Sequence, residues 1–244
     1  MNNYKLIIQY DGTKYSGWQI QKNAPSIQGA VVDSIKKITG EDVNLIGSGR
    51  TDAGVHAFGQ AANFISETEL DIQIFNHSLN AVLPFDISVS KIEKVNESFH
   101  SRFDAKKRSY IYQISKIKSP FYHKYSYYYP QINSYDLIKL NLLSKLFIGE
   151  KDFTSLSKKN PELENKICTI FRIEWRDKQN IVSFFIEADR FLHGMVRTIV
   201  GTILRAVKHA NGEAEIINVL KQNNREAAGE SVPARGLFLL KVRY

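Results

Sequence analysis

Hydrophobic and polar residues follow each other along the chain in a pattern that predicts alternating strands and helices. Tyr4 to Tyr10 alternates with a period of two, as a half-buried strand does. After Ser26, a helix N-cap residue, Ile and Val recur every three or four positions up to Gly40, which predicts a helix. Further strands are predicted over 43–46, 56–65 and 87–94, and a second helix over 70–82. This order is typical of an α+β domain.

The second half of the chain repeats this order of elements. Strands are predicted over 109–117, 170–175, 181–188 and 236–244, and helices over 135–147, 191–208 and 213–222. No repeat is visible in the sequence itself, but the shared order suggests two related α+β domains, 1–104 and 105–244. No linker rich in Pro, Gly or Ser separates the two, so we expect their sheets to pack closely.

Charge divides unequally between these halves. The 244 residues carry a net charge of +8. Residues 1–104 contain 9 Lys and Arg against 12 Asp and Glu, whereas residues 105–244 contain 24 against 13. An excess of positive charge predicts a polyanionic partner for the second half. If an acid of the first half acts on a nucleic acid, both halves should flank one cleft.

Cysteine and histidine usage restricts the class of protein further. Cys168 is the only cysteine, so no intramolecular disulfide can form, which fits a reducing compartment. The six histidines show no metal-ligand spacing, so we expect no metal. No apolar run approaches a membrane span or a signal sequence. These features predict a cytoplasmic enzyme or binding protein.

The run Gly-Ser-Gly-Arg-Thr-Asp-Ala-Gly-Val-His at 47–56 is the strongest candidate for chemistry. It places Asp52 two residues from Arg50, between glycines that let another molecule come close. A carboxylate beside a cation stays ionised and can act as a nucleophile. Asp and Gly are also ordinary turn residues, so a purely structural loop is equally open at this point. The glycine spacing fits neither a dinucleotide fingerprint nor a P-loop.

Two further stretches suit an RNA partner. Arg108, Tyr110 and Tyr112 share one face of a predicted strand, where a cation and rings could hold a phosphate and a stacked base. Packing is the simpler interpretation for Tyr112. Residues 116–129 interleave basic and aromatic side chains, as a surface for single strands would, although edge strands often do the same.

The segment 191–197 begins the long helix predicted in the second half. Met195, Ile199, Ile203 and Val207 recur every four residues and are predicted to lie in the core. Arg197 is offset from this stripe by two positions. It is either a solvated flank of the helix or a side chain that reaches the Asp52 loop, and His193 is expected to pack.

Several segments together resemble the TruA-type tRNA pseudouridine synthases along nearly the whole chain. The matching segments are 10–19 (Tyr-Asp-Gly-Thr-Lys-Tyr-Ser-Gly-Trp-Gln), 49–56, Gly59-Gln60, 99–103, 108–112, 152–154, 191–197 and 233–237. The run Gly-Arg-Thr-Asp-Ala-Gly-Val-His is highly specific, and the other matches occur in the same order. The sequence departs from the usual family pattern at Lys151, at Leu156 and in the charged 157–167 loop.

This resemblance implies a fold and a reaction. The fold would be α+β, with two similar domains whose mainly antiparallel sheets pack side by side around a central basic cleft. The reaction would convert uridine to pseudouridine in the anticodon stem-loop of tRNA, at about positions 38 to 40, with no cofactor and no metal. Family members are homodimers whose subunits are bridged by the tRNA.

The resemblance also implies roles for individual residues. Asp52 would be the nucleophile, Tyr110 would stack on the target base and could transfer a proton, and Arg50 and Arg197 would hold the aspartate or the backbone and help to expose the base. The predicted substrate contacts are Tyr110, Arg108, Lys107, Arg102, His56 and Gln60. Chemistry on a paired base requires that the base first be flipped out.

Two questions remain open from the sequence. The aspartate could attack C1′ of the ribose, promote formation of a glycal, or add to C6 of the base. A different class of protein, a non-catalytic RNA-binding protein or tRNA chaperone, would share the basic cleft and the aromatic residues. Asp52 favours the enzyme, because a carboxylate near phosphate weakens binding and pure binding does not require one.

Overall fold

The computed structural model describes residues 1–159 and 165–244. The remaining five residues belong to the predicted 157–167 loop, and that part of the loop lies outside the described residues. The chain forms two compact units: the first comprises residues 1–106 and 238–244, and the second comprises residues 107–237. The last strand therefore groups with the first unit, whereas the sequence-based boundary assigned it to the second.

The described residues form strands and helices in mixed order. In chain order they are β1 (Asn2–Tyr10), α1 (Ile27–Thr39), β2 (Ile46–Gly47), β3 (His56–Ser66), α2 (Ile72–Val82), β4 (Ile87–Val95), β5 (Lys107–Ser115), β6 (Tyr127–Tyr128), α3 (Leu137–Lys145), β7 (Gly149–Asp152), β8 (Ile167–Lys178), β9 (Ile181–Ala188), α4 (Met195–Ala206), α5 (Gly212–Gln222) and β10 (Leu237–Arg243).

The first unit is built on the strand order β4-β1-β3-β10, and β2 pairs with β3. Strand β1 is antiparallel to both of its neighbours, while β10 runs parallel to β3 with Phe238 opposite His56. Helix α1 begins where Ser26 accepts a hydrogen bond from the Gly29 amide and ends at Gly40, whose φ of 75° suits glycine. Its buried side chains include Ile27, Val31 and Ile35.

The second unit has the strand order β5-β9-β8-β7, all antiparallel, with β6 parallel to β5. Helix α4 buries Met195, Ile199 and Ile203 completely, as the four-residue spacing predicts. Its start differs from the prediction, which placed it at Phe191. Gly194 has a φ of 73°, a left-handed conformation that interrupts helical backbone, so the helix begins only at Met195.

The α+β class with mainly antiparallel sheets is confirmed. The strand predicted over 43–46 is reduced to the two residues of β2. Strands β6 and β7 have two and four residues, too few for an alternating pattern to show, and they were not predicted. None of the described helices is long and apolar enough to cross a membrane.

Candidate active site

The run 47–56, here called the aspartate loop, connects β2 to β3 in the first unit. Exposure alternates along its centre: Arg50 is exposed, Thr51 is buried and Asp52 is half-buried. The loop therefore buries the residue between its two charged side chains. We asked which contacts fix the backbone that carries them.

Gln60, on β3, fixes the start of the aspartate loop. Its side chain is 0% exposed. Its Oε1 accepts a hydrogen bond from Ser48 Oγ at 2.7 Å, and its Nε2 donates to the Gly49 carbonyl at 2.9 Å. The Ser48 amide also donates to the carbonyl of Ala61 at 2.7 Å. The two residues before Arg50 are thus attached to a central strand.

Thr51 is held from the opposite side, by the segment 10–19. The Tyr10 hydroxyl and Thr51 Oγ1 are hydrogen-bonded at 2.8 Å, and the Trp18 amide donates to the Thr51 carbonyl at 3.1 Å. Beyond Asp52, the Val55 amide donates to the Asp52 carbonyl at 3.1 Å and closes a turn. Hydrogen bonds therefore flank both charged residues.

Glycines in the same segment allow the close approach. Gly17 has a φ of 99°, and a Cβ on it would lie 2.4 Å from the Thr51 carbonyl oxygen. A Cβ on Gly12 would lie 2.0 Å from the Val55 carbonyl oxygen. Sequence analysis identified 10–19 as a segment that resembles the family but did not predict Tyr10 and Trp18 as supports of the loop. The signal available in the sequence was Trp18, a large side chain of a type that is usually packed, in a segment that also contains Gly12 and Gly17.

His56 and Gln60, both predicted to bind substrate, are buried in the first unit. The His56 Nδ1 lies 3.1 Å from the Gly12 amide nitrogen and 3.0 Å from Asp11 Oδ1, and its ring stacks on Phe238. A ring nitrogen either accepts or donates, so the tautomer decides which of these groups His56 binds. The observed contacts of both residues are supporting ones, and a substrate contact by either stays a prediction.

Arg102 is exposed on a turn of the first unit. The side chain of His100 builds this turn, because its Nδ1 accepts hydrogen bonds from the Arg102 and Phe103 amides at 3.1 and 3.3 Å. Asp104 Oδ2 accepts from the His100 amide at 2.8 Å. The guanidinium of Arg102 lies 5.6 Å from the Phe103 ring. A cation and a ring are thus presented together.

The second unit carries the other predicted site residues. Tyr110 lies on β5, is 8% exposed and meets the Phe191 ring edge-on at 5.0 Å. Arg108 Nη1 donates to the Asp189 carbonyl at 2.6 Å. Tyr112 is fully buried, which agrees with the packing interpretation, and burial raises the pKa of its hydroxyl.

Lys107 and Arg197 complete this set. The Lys107 ammonium lies 4.5 Å from the Phe171 ring centre and 3.9 Å from Glu187 Oε1. Arg197 is half-buried near the start of α4, where its Nε donates to the Val232 carbonyl at 2.7 Å. The Val232 amide in turn donates to the Arg197 carbonyl at 3.3 Å. Arg197 is therefore held in place by its own unit rather than extended into solvent.

Each unit carries some of the predicted site residues, but the net charge is distributed unequally between the units. The first unit contains 12 Lys and Arg against 12 Asp and Glu, and the second contains 21 against 13. All of the net charge of +8 belongs to the second unit. In the part of the chain that the structure describes, no group of three His, Cys, Asp or Glu side chains could hold a metal ion.

The fold and the loop define an α+β protein with a carboxylate on a fixed loop, and its second unit carries the net positive charge. A family model described as tRNA pseudouridine synthase matches residues 6–104 and 143–244. The chain belongs to this family. The family predicted from the motifs is confirmed, and with it an enzyme of the isomerase class.

Curated relatives match over their whole length. The chain is 40% identical to tRNA pseudouridine synthase A of Caldicellulosiruptor saccharolyticus and 37% identical to that of Thermoanaerobacter sp., in each case over 100% of both chains. It is 40% identical to the protein of the same name from Bacteroides fragilis, over 100% of this chain and 97% of the relative.

Proposed function

We propose that this protein converts uridine to pseudouridine in the anticodon stem-loop of tRNA, at about positions 38 to 40, with Asp52 as its nucleophile and without a cofactor. The observation that carries the proposal is the aspartate loop, in which hydrogen bonds fix the backbone on both sides of a half-buried carboxylate. Membership of the family and the names of the full-length relatives support the substrate and the reaction.

The reaction explains why a single positioned carboxylate is enough. The C1′–N1 bond must break, the uracil must turn over, and a C1′–C5 bond must form before the C5 proton leaves. An ionised Asp52 can attack C1′ and be displaced by C5, can remove a ribose proton to form a glycal, or can add to C6 of the base. Each route keeps base and sugar together in a site that excludes water.

The remaining site residues take the roles that the resemblance gives them. Arg50 orients Asp52 and assists in flipping the base. Tyr110 stacks on the free uracil and serves in proton transfer, and Arg197 pairs with the aspartate or grips a phosphate. The substrate contacts are those of Tyr110, Arg108, Lys107, Arg102, His56 and Gln60, and we keep a homodimer and a cytoplasmic location as part of the proposal.

Replacing the carboxylate by an amide tests the assignment. Asp52→Asn should lower tritium release from C5-labelled uridine in tRNA by at least about 10³-fold, because the nucleophile is lost. The dissociation constant for tRNA should stay within about twofold, since binding does not need the carboxylate. Asp33→Asn, at an exposed aspartate of α1, is the matched control and should leave both quantities unchanged.

Three outcomes separate the candidate functions. Turnover retained in Asp52→Asn would remove the nucleophile role. No turnover by the unmodified protein on any tRNA, with tight binding preserved, would favour the non-catalytic RNA-binding protein. Mapping pseudouridines in tRNA from cells that lack the protein reports the target position, and modification retained at positions 38 to 40 would contradict the proposed site of action.

A further inference from the structure

Residues 116–135 of the second unit form an unusual stretch of surface. They contain six of the twelve tyrosines of the chain, one Phe, three Lys and one His, and no Asp or Glu. Phe121 is 86% exposed and Tyr128 is 43% exposed. Large exposed rings interleaved with cations have the composition of a surface that stacks nucleotide bases.

We propose that this stretch, together with Lys208, is a second RNA-contact surface that stacks unpaired nucleotides of the tRNA apart from the uridine that is modified. We call it the basic–aromatic surface: Phe121, Lys124, Tyr128, Tyr129, Tyr135 and Lys208. The proposal rests on tRNA being the substrate and adds a binding site to that function. The family match stops at residue 104 and resumes at 143, so it assigns nothing to this stretch.

Three half-buried rings of this stretch, those of Tyr127, Tyr129 and Tyr135, form a connected platform beside the more exposed Phe121 and Tyr128. The Tyr127 and Tyr129 rings stack with centres 5.4 Å apart and planes 23° apart, and the Tyr129 and Tyr135 rings lie 6.2 Å apart. The hydroxyls of Tyr129 and Tyr135 are hydrogen-bonded at 2.9 Å. A platform that is already ordered loses little conformational entropy when a base stacks on it.

The backbone beneath these rings is also fixed. Strand β6 pairs with the end of β5, Tyr127 opposite Ile114 and Tyr128 opposite Ser115. The Tyr129 amide donates to the Ser115 carbonyl at 3.0 Å. The short strand therefore extends the sheet and holds Tyr128 at its edge.

Cations surround the platform. The Lys208 ammonium lies 5.9 Å from the Tyr129 ring centre. Burial raises the pKa of the Tyr127 hydroxyl, Tyr129 and Glu230 raise it further, and the positive charges of Arg235 and Lys208 act to lower it. Lys124 is exposed in the neighbouring loop. Positive charge beside stacked rings suits a base and its phosphate together.

The charge favours RNA over a protein partner. The surface lies in the unit that holds all of the net positive charge. The chain belongs to a family of tRNA-modifying enzymes, and tRNA is a polyanion. A symmetric contact between this surface and the same surface of a second copy would bring like charges together. We therefore argue for RNA, and association between copies becomes an outcome of the test.

The test is a double variant, Phe121→Ala with Tyr128→Ala. Loss of one base-stacking contact should raise the dissociation constant for tRNA about tenfold and raise the KM by a similar factor. The kcat at saturating tRNA should not change. Phe121→Tyr with Tyr128→Phe keeps both rings and should bind within about twofold of the unmodified protein. Phe85→Ala, at a fully exposed ring of the first unit, is the control and should change nothing.

The readouts separate this proposal from the proposed function. Asp52→Asn should lower kcat and leave the dissociation constant, whereas the double variant should raise the dissociation constant and the KM and leave kcat. An unchanged dissociation constant in the double alanine variant would overturn the RNA-contact surface. Sedimentation of the same variants would overturn it too if the alanine pair dissociated an oligomer and the ring-preserving pair did not, because the stretch would then be an interface between copies.

Discussion

The aspartate loop and the basic–aromatic surface are built in opposite ways. In the loop, buried polar groups such as Gln60 and Tyr10 hold the backbone around an exposed Arg50 and a half-buried Asp52. On the surface, rings and cations themselves face outward, and the sheet below them does the positioning. We infer that substitutions at the loop change the geometry of the reaction and hence kcat, whereas substitutions at the surface change the dissociation constant.

The two units that carry these regions also differ in net charge. The first unit has equal numbers of acidic and basic residues, while the second has 21 Lys and Arg against 13 Asp and Glu. A net positive field attracts a polyanion at long range and falls with added salt. We therefore expect the long-range attraction of RNA to come mainly from the second unit, whereas Asp52 lies in the first.

The largest effect is expected where a side chain would enter the aspartate loop. Gly17→Ala should lower the free energy of unfolding by about 3 kcal/mol or more. Alanine is strained at this positive φ, and its Cβ would also overlap the Thr51 carbonyl oxygen. Denaturation in urea measures this change. The kcat of the folded protein should fall as well, since the loop must shift.

Gly40→Ala is the matched control for this substitution. Gly40 also has a positive φ, 75°, but a Cβ there would meet nothing within 4 Å. Strain alone should lower the free energy of unfolding by about 1 kcal/mol, and kcat should not change. Equal losses of stability in the two variants would show that contact with the loop contributes nothing.

Local signals in the sequence predicted those parts of the fold that local interactions determine. Helix α1 was predicted between its true ends because Ser26 and Gly40 act on neighbouring backbone groups. The start of α4 was predicted four residues early, because the stripe of apolar residues does not show that Gly194 adopts a left-handed conformation. Strands as short as β6 give no pattern at all.

The same distinction between local and distant interactions applies to the candidate site. The glycines around Arg50 and Asp52 identified the loop, because they are adjacent in the sequence. The support from Tyr10 could not be predicted, since its hydroxyl meets Thr51 across 41 positions of the chain. Gln60 was predicted as a substrate contact from resemblance alone, and only the structure shows its side chain bonded to Ser48 and Gly49.

A smaller effect is expected when the Gln60 hydrogen bonds are removed at nearly constant volume. Gln60→Met should lower kcat about 10- to 100-fold, because the backbone before Arg50 is released and small misplacements of a reacting group are costly. The dissociation constant for tRNA should remain within about threefold if Gln60 acts only through the loop. Single-turnover rates at saturating tRNA measure the change.

Gln28→Met distinguishes positioning from general stability. Gln28 is buried in the same unit and its side chain makes comparable hydrogen bonds, accepting from the Ile20 amide and donating to the Leu45 carbonyl rather than to the aspartate loop. Both variants should lose about 1 to 3 kcal/mol of stability. Only Gln60→Met should lose kcat, and equal kcat in the two folded proteins would refute the positioning role.

The smallest effect concerns the salt dependence of binding, which reports how the charge of the two units is used. The logarithm of the tRNA association constant should fall steeply with the logarithm of salt concentration, because each Lys or Arg bound to a phosphate releases counterions. Lys124→Ala, in the basic–aromatic surface, should reduce that slope by about one and weaken binding a few-fold. Lys22→Ala, at an exposed lysine of the first unit, should leave the slope unchanged. If both variants changed the slope equally, the RNA would contact both units electrostatically, and the division between an attracting unit and a reacting unit would not hold.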